Sequence, residues 1–212
     1  MGEASRTTIV PGAGVDADEF GALAPPDNAV PCVAYVGRLI RSKGVETLVE
    51  AHRLLSQRGV DLDLTICGAP DTANPDAVNA EMLADWRGRG GVSMPGHVSD
   101  VRKVWAVADI AAVPTLGGEG IPRALLEAAA CARPIVASNV SGCSHFIREG
   151  VEGFLVPPGD ARGLADALER LARDTQLRRK QGGAARERFL SGYTTQAVGA
   201  ALRNAYTALS RQ

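Results

Sequence analysis

The sequence is poor in aromatic residues, nearly balanced in charge and free of long apolar runs. Phe, Trp and Tyr make up 4% of its 212 residues, too few for the stacking platforms that hold single-stranded nucleic acid. The formal net charge is −1, so no overall field draws the chain to nucleic acid or an anionic membrane, and any anion site must be local. No run of about 18 apolar residues is present to cross a bilayer, and the opening MGEASRTT lacks the apolar core of a signal peptide. The four cysteines, Cys32, Cys67, Cys131 and Cys143, form no C-x-x-C pair and have no histidine at zinc-ligand spacing. Cys32 and Cys67 fall inside apolar runs and read as buried free thiols. A reducing cytoplasm fits all of these absences.

What is present is the ordinary balance of a globular domain, with 45% hydrophobic and 22% charged residues. That length buries one substantial core. Short apolar runs at 33–36, 62–67, 92–94, 110–113, 135–137 and 153–156 read as strands. Between them lie helical patterns. Residues 43–57 carry Val45, Leu48, Val49 and Leu55 at helical spacing, with Gly59 as a stop signal. A second helix runs through Met82, Leu83 and Trp86. A third, with Asp100 as N-cap, carries Val101, Val104, Trp105 and Ala108. A fourth opens at Pro122 and runs to about Ala132. Residues 161–209 read as helical, with breaks near Gly182-Gly183 and Gly192. Strand and helix alternating at this spacing predict α/β architecture, a doubly wound, Rossmann-like parallel sheet with helices on both faces. Such sheets bind ligands beyond the carboxyl ends of their strands, so the informative loops follow Val36, Cys67, Met94 and Val113.

The loop after the first strand, residues 37–44, sets Arg38, Arg41 and Lys43 just before a helix N-terminus. Cations and helix amides together favour a phosphate there, with a solvated basic turn as the plainer reading. Downstream, Glu119 lies in a loop and Glu127 eight residues on, inside the helix begun by Pro122. Carboxylates so placed can accept hydrogen bonds from ribose and hexose hydroxyls. Glu127 interrupts an apolar face, where a bare charge is costly to bury, which favours ligand contact; an arginine partner is the alternative.

The segments Gly-Arg-Leu-x3-Lys-Gly (37–44) and Glu-x7-Glu (119–127), followed by Arg-Pro-Ile-Val-Ala-Ser and Gly-Cys, resemble the large group 1 family of retaining glycosyltransferases with GT-B architecture. Residues 150–160 match that family's stretch after the last strands, and residues 9–16 resemble the start of its second domain. A narrower likeness, in residues 68–86 and 96–102, is to bacterial N-acetylhexosaminyltransferases acting on polyprenyl-diphosphate-linked glycans. The resemblance implies that Arg38 and Lys43 neutralise a donor diphosphate, so that no metal or other cofactor is expected. It assigns Glu119 to hydroxyls of the transferred sugar, with Arg38, Lys43 and Glu119 as the catalytic set. Glu127 would hold the ribose, the backbone of Gly120, Ile121 and Pro122 with Leu126 would flank the donor, and the Val98 loop would meet uracil. Gly37 and Gly68 would let the chain pass close to the nucleotide. The implied partners are a UDP-sugar and a saccharide or polyprenyl-diphosphate-linked acceptor, with no nucleic acid. The implied place is the cytoplasm, or peripherally the inner face of the membrane.

Residues 1–8 are expected to be a leader or expression remnant, and residues 9–212 the donor-binding half of the fold. The acceptor domain is expected to be absent, leaving a chain that binds donor weakly and does not catalyse transfer. Three departures from the family pattern stand out. Ala132 replaces a usual glycine, Ser144-His145 replaces Arg-Glu, and the loop between Pro114 and Glu119 is one residue longer than the commonest spacing. The arginine-rich run 170–188 reads by default as a solvated face, with docking on anionic lipid as the alternative. His52, Trp86 and Trp105 read as packed residues. A nicotinamide-dependent enzyme would need Gly-x-Gly-x-x-Gly after the first strand, and a P-loop enzyme Gly-x4-Gly-Lys-Ser/Thr; neither occurs. The remaining rivals are a UDP-sugar epimerase of the same architecture and a non-catalytic nucleotide-sugar-binding domain.

Overall fold

The computed structural model describes residue 12 and residues 14–210. The leader at 1–8, and residues 9–11 and 13 of the opening motif, lie outside the described residues. Six strands, β1 (Cys32–Val36), β2 (Asp63–Cys67), β3 (Val92–Gly96), β4 (Ile110–Val113), β5 (Ile135–Ser138) and β6 (Gly153–Val156), form one sheet in the order β3-β2-β1-β4-β5-β6. Every pairing is parallel. Successive side chains of a strand point to opposite faces, and both faces are covered. Val33, Tyr35, Leu64, Ile66, Ile110 and Ala112 join one core with α1 (Val45–Gln57), α2 (Ala80–Arg87) and α6 (Ala161–Arg173). Ala34, Cys67, Ala111 and Val113 join the other, with α3 (Arg102–Val107), α4 (Arg123–Ala130), α5 (Ser141–Phe146) and α7 (Thr175–Leu190). Trp86 lies in the first core and Trp105 in the second. The sheet is the doubly wound α/β arrangement predicted from the sequence.

The helix boundaries correct the sequence reading in four places. Regular helix α1 starts at Val45, after a single 3-10 turn at Arg41–Lys43, because Gly44 takes φ 70°. The α4 helix ends at Ala130, where a Schellman cap closes it: Ala132 N–H donates to the Ala129 carbonyl and Arg133 N–H to the Ala128 carbonyl. The left-handed position of that cap belongs to Ala132 at φ 57°, the only non-glycine with positive φ among the described residues. The Gly182-Gly183 pair does not break α7. A Cβ at Gly182 would stand 2.2 Å from the Ala132 carbonyl oxygen, so close helix crossing explains this glycine. The break falls instead at Asp174, whose side chain accepts the Leu177 amide at 2.9 Å. The break near Gly192 is real, since α8 (Thr195–Ser210) begins beyond it. The fourth correction is α5, which the periodicity had not indicated. Asp100 accepts the Arg102 amide at 3.2 Å, helping to start α3.

The arginine-rich run also departs from a merely solvated face. Arg178 donates to the carbonyls of Leu171 and Ala172 at the end of α6, and Arg186 to Ala130 at the end of α4 and to Phe20. Arg188 donates to Phe146 and His145 at the end of α5. The last four carbonyls of a helix lack intrahelical donors, and a cation is also favoured by the helix dipole there. Three arginines of α7 thereby tie the ends of three other helices together.

Candidate donor-binding site

Strand order reverses direction between β1 and β4, and the loops that leave these two strands open the crevice where such sheets bind ligands. The two loops are clamped. Leu116 N–H donates to the Ser42 carbonyl at 2.8 Å, and a Cβ on Gly44 would stand 1.9 Å from the Pro114 carbonyl oxygen. On the other side, Gly68 (φ 150°) lets the β2 loop pass against the β1 loop; a Cβ there would meet Gly37 O at 1.8 Å. These close approaches make the loops after β1, β2 and β4 one rigid rim.

Two cavities open along that rim and share Val36 and Gly37. One, of about 220 Å³, is lined by Tyr35, Lys43, Thr115, Glu119, Pro122 and Arg123 among others. The second, of about 320 Å³, is lined by Arg38, Gly68, Pro70, Asp71, His97 and Val98 among others. The fold therefore brings Gly37, Arg38, Lys43, Gly68, Val98, Glu119 and Pro122 to one edge. Gly120 is exposed and Ile121 half-buried in the loop before α4. Leu126 is 2% exposed and packs into the core, and Glu127 is not among the residues lining either cavity.

Each charged group of the rim already has a partner. Lys43 Nζ pairs with Glu119 Oε2, both side chains about a fifth exposed. The other oxygen, Glu119 Oε1, is buried and accepts no hydrogen bond. Arg38 reaches Asp71 at 3.1 Å while remaining largely exposed, and its carbonyl accepts from the Tyr35 hydroxyl at 2.7 Å. Burial, reinforced by the Glu119 charge, holds the Tyr35 phenol well above its usual value, so it acts as a neutral donor. Glu127 has the arginine partner that the sequence left open: Arg123 Nε donates to its Oε1 at 2.8 Å. Burial raises the Glu127 carboxyl above the usual range, and Arg123 opposes the shift.

Arg123 was legible as the residue four before Glu127 on the same helix face. Tyr35 and Asp71 were not, because an apolar run hides the first and a polar loop the second. All four cysteines are buried free thiols. Burial pushes Cys143 up to about 12 and Cys67 and Cys131 to about 11, which keeps these three protonated and unreactive at neutral pH. His52 is buried with Nε2 2.8 Å from the Leu62 carbonyl, a structural contact. Among the described residues, no group of three His, Cys, Asp or Glu is arranged to hold a metal ion.

The geometry meets independent comparisons. A family model described as glycosyl transferases group 1 matches residues 30–174. Alpha-D-kanosaminyltransferase from Streptomyces kanamyceticus is 34% identical over 180 residues, spanning 83% of this chain and 45% of that protein. Among solved structures, sucrose-phosphate synthase from Thermosynechococcus elongatus superposes with a TM-score of 0.82 at 27% identity, covering 94% of this chain and 52% of that one. Anabaena HepE, solved in complex with UDP-glucose, gives a TM-score of 0.79 at 22% identity over 94% of this chain and 56% of that one. The chain thus spans about half the length of the curated relatives it matches. With its sheet, its switch-point rim and its sequence all in agreement, the chain belongs to the group 1 glycosyltransferases, of the GT-B fold.

Proposed function

We propose that this chain is the donor-binding half of a retaining glycosyltransferase that moves a hexose or N-acetylhexosamine from a UDP-sugar. The observation that carries the reading is the meeting of the Arg38 and Lys43 loop with Glu119 around Gly37, a residue that lines two neighbouring cavities. Arg38 and Lys43 offset the charge of the donor diphosphate and of the departing nucleotide. Glu119 accepts hydroxyl hydrogen bonds from the transferred sugar. Glu127 takes the ribose hydroxyls by exchanging its contact with Arg123. The half-buried Val98, in the second cavity, meets the base.

HepE, a fold neighbour, is a UDP-glucose complex, which favours uridine. A capsular polysaccharide biosynthesis glycosyltransferase from Staphylococcus aureus, 26% identical over 88% of the chain, favours a growing glycan as acceptor. The likeness in residues 68–86 and 96–102 points the acceptor toward a polyprenyl-diphosphate-linked glycan, met at the inner membrane face. The acceptor site lies outside these residues, and the chain alone binds donor without transferring it.

Calorimetric titration with UDP, UDP-N-acetylglucosamine, UDP-N-acetylgalactosamine, GDP and NAD, repeated on Glu127→Ala, tests the reading. Saturable UDP binding that Glu127→Ala weakens by about 1–3 kcal/mol is the expected result. A preference for NAD overturns it.

A further inference from the structure

Lys43 and Glu119 carry opposite roles in the proposed site, one toward phosphate and one toward sugar, yet they pair with each other. The pair joins the loop after β1 to the loop after β4 and lines the cavity beneath Gly37. One carboxylate oxygen holds the lysine; the other is buried without a hydrogen bond. Lys43 has three donors, and a diphosphate that draws the ammonium to itself weakens or breaks its contact with Glu119. The half-buried carboxylate would then lose its one partner and face added negative charge, and both effects are unfavourable at reduced solvent exposure.

We propose that Glu119 is a built-in competitor for the donor diphosphate, which makes the site favour a nucleotide sugar over a bare nucleoside diphosphate. The inference rests on the donor-site reading above. A nucleotide sugar brings its own compensation, because hydroxyls on the same molecule donate to the carboxylate that Lys43 leaves. A nucleoside diphosphate brings none. The product of transfer is therefore bound less well than the donor, and Glu119 recaptures Lys43 as the product departs. Selectivity arises from the group left unpaired, as it does wherever a site built for hydroxyls meets a ligand lacking them.

The test is titration of the whole chain and its Glu119→Gln variant with inorganic pyrophosphate, UDP and UDP-N-acetylglucosamine. The amide has the same shape but cannot hold the ammonium as an ion pair. Expected is roughly three- to tenfold tighter binding of pyrophosphate and UDP by the variant, equivalent to about 0.7–1.4 kcal/mol. Binding of the nucleotide sugar should stay level or weaken, so that the preference for the sugar-bearing ligand collapses. Unchanged or weaker UDP binding by Glu119→Gln overturns the inference and leaves the donor site standing. UDP binding by neither chain overturns the donor-site reading itself. Glu119→Ala, checked by thermal melting for a folded chain, repeats the measurement without the amide. A gain that survives in Lys43→Met/Glu119→Gln would mean that repulsion alone is being relieved, and it too overturns the proposal.

Discussion

Two groups of basic side chains in this molecule are satisfied in different ways. Along the rim, Arg38, Lys43 and Arg123 meet the carboxylates of Asp71, Glu119 and Glu127. On α7, Arg178, Arg186 and Arg188 meet backbone carbonyls at the ends of α6, α4 and α5, and Arg178 also faces the Asp109 carboxylate at 3.5 Å, a buried group itself fixed by the Cys32 amide. A carboxylate on a side chain can turn away or be exchanged for a ligand's phosphate. A carbonyl at a helix end is fixed by the fold and has no other donor. The first set is exchangeable charge, and the second is framework. Residue type alone does not distinguish them; the partner does.

The strongest test of that contrast is a pair of substitutions with opposite signatures. Arg186→Met removes the donors to Ala130 and Phe20 and should lower stability by about 2–3 kcal/mol, as for lost hydrogen bonds from a charged group. Urea denaturation measures it, and UDP affinity of the folded fraction should hold. Lys43→Met should do the reverse, weakening pyrophosphate and UDP at least about tenfold, or about 1.4 kcal/mol, while changing stability by about 1 kcal/mol or less. If Arg186→Met weakened UDP as strongly as Lys43→Met does, the division between the two sets would collapse.

A smaller effect is expected at the end of α4. Ala132 occupies the left-handed position of the Schellman cap, which costs a side chain about 1 kcal/mol. Ala132→Gly should therefore stabilise the chain by roughly that amount, seen as a higher urea midpoint with unchanged slope. The smallest concerns Glu127. Its carboxyl titrates above the usual range in the folded chain, so the native state holds more protons than the unfolded one within that window. The stability it contributes is full below the unfolded value and is lost as pH rises through the folded one. Glu127→Gln should flatten the fall in stability as pH rises above the ordinary glutamate value; an identical pH profile would refute a raised carboxyl.

The strands and the loops that bear the site were legible in the sequence because both rest on short-range signals. Apolar runs such as 33–36 mark strands buried on both faces, and β1 and β4 are buried along nearly their whole length. What escaped was decided by distant parts of the chain. Two adjacent glycines weaken a helix by about 1 kcal/mol each, which predicts a break at 182–183. Packing α7 against the Ala132 carbonyl overrides that, since only a glycine fits there. The six-residue α5, opened by Ser141 and Gly142, has little intrinsic helicity; burial of Cys143 and Phe146 holds it. The arginine contacts of α7 were hidden because backbone carbonyls leave no trace in a pattern of side chains. The pairing of Lys43 with Glu119 likewise required the two loops to be seen together.

The chain's two tryptophans, Trp86 and Trp105, lie on opposite sides of the sheet, each nearly or fully buried. Nature has in effect placed one optical probe in each layer. Replacing either with Phe leaves a lone fluorophore that reports on its own layer. Coincident melting curves from the two variants would show that the layers come apart as one cooperative unit. Separate curves would show that the layer holding α1, α2 and α6 and the one holding α3, α4, α5 and α7 loosen independently.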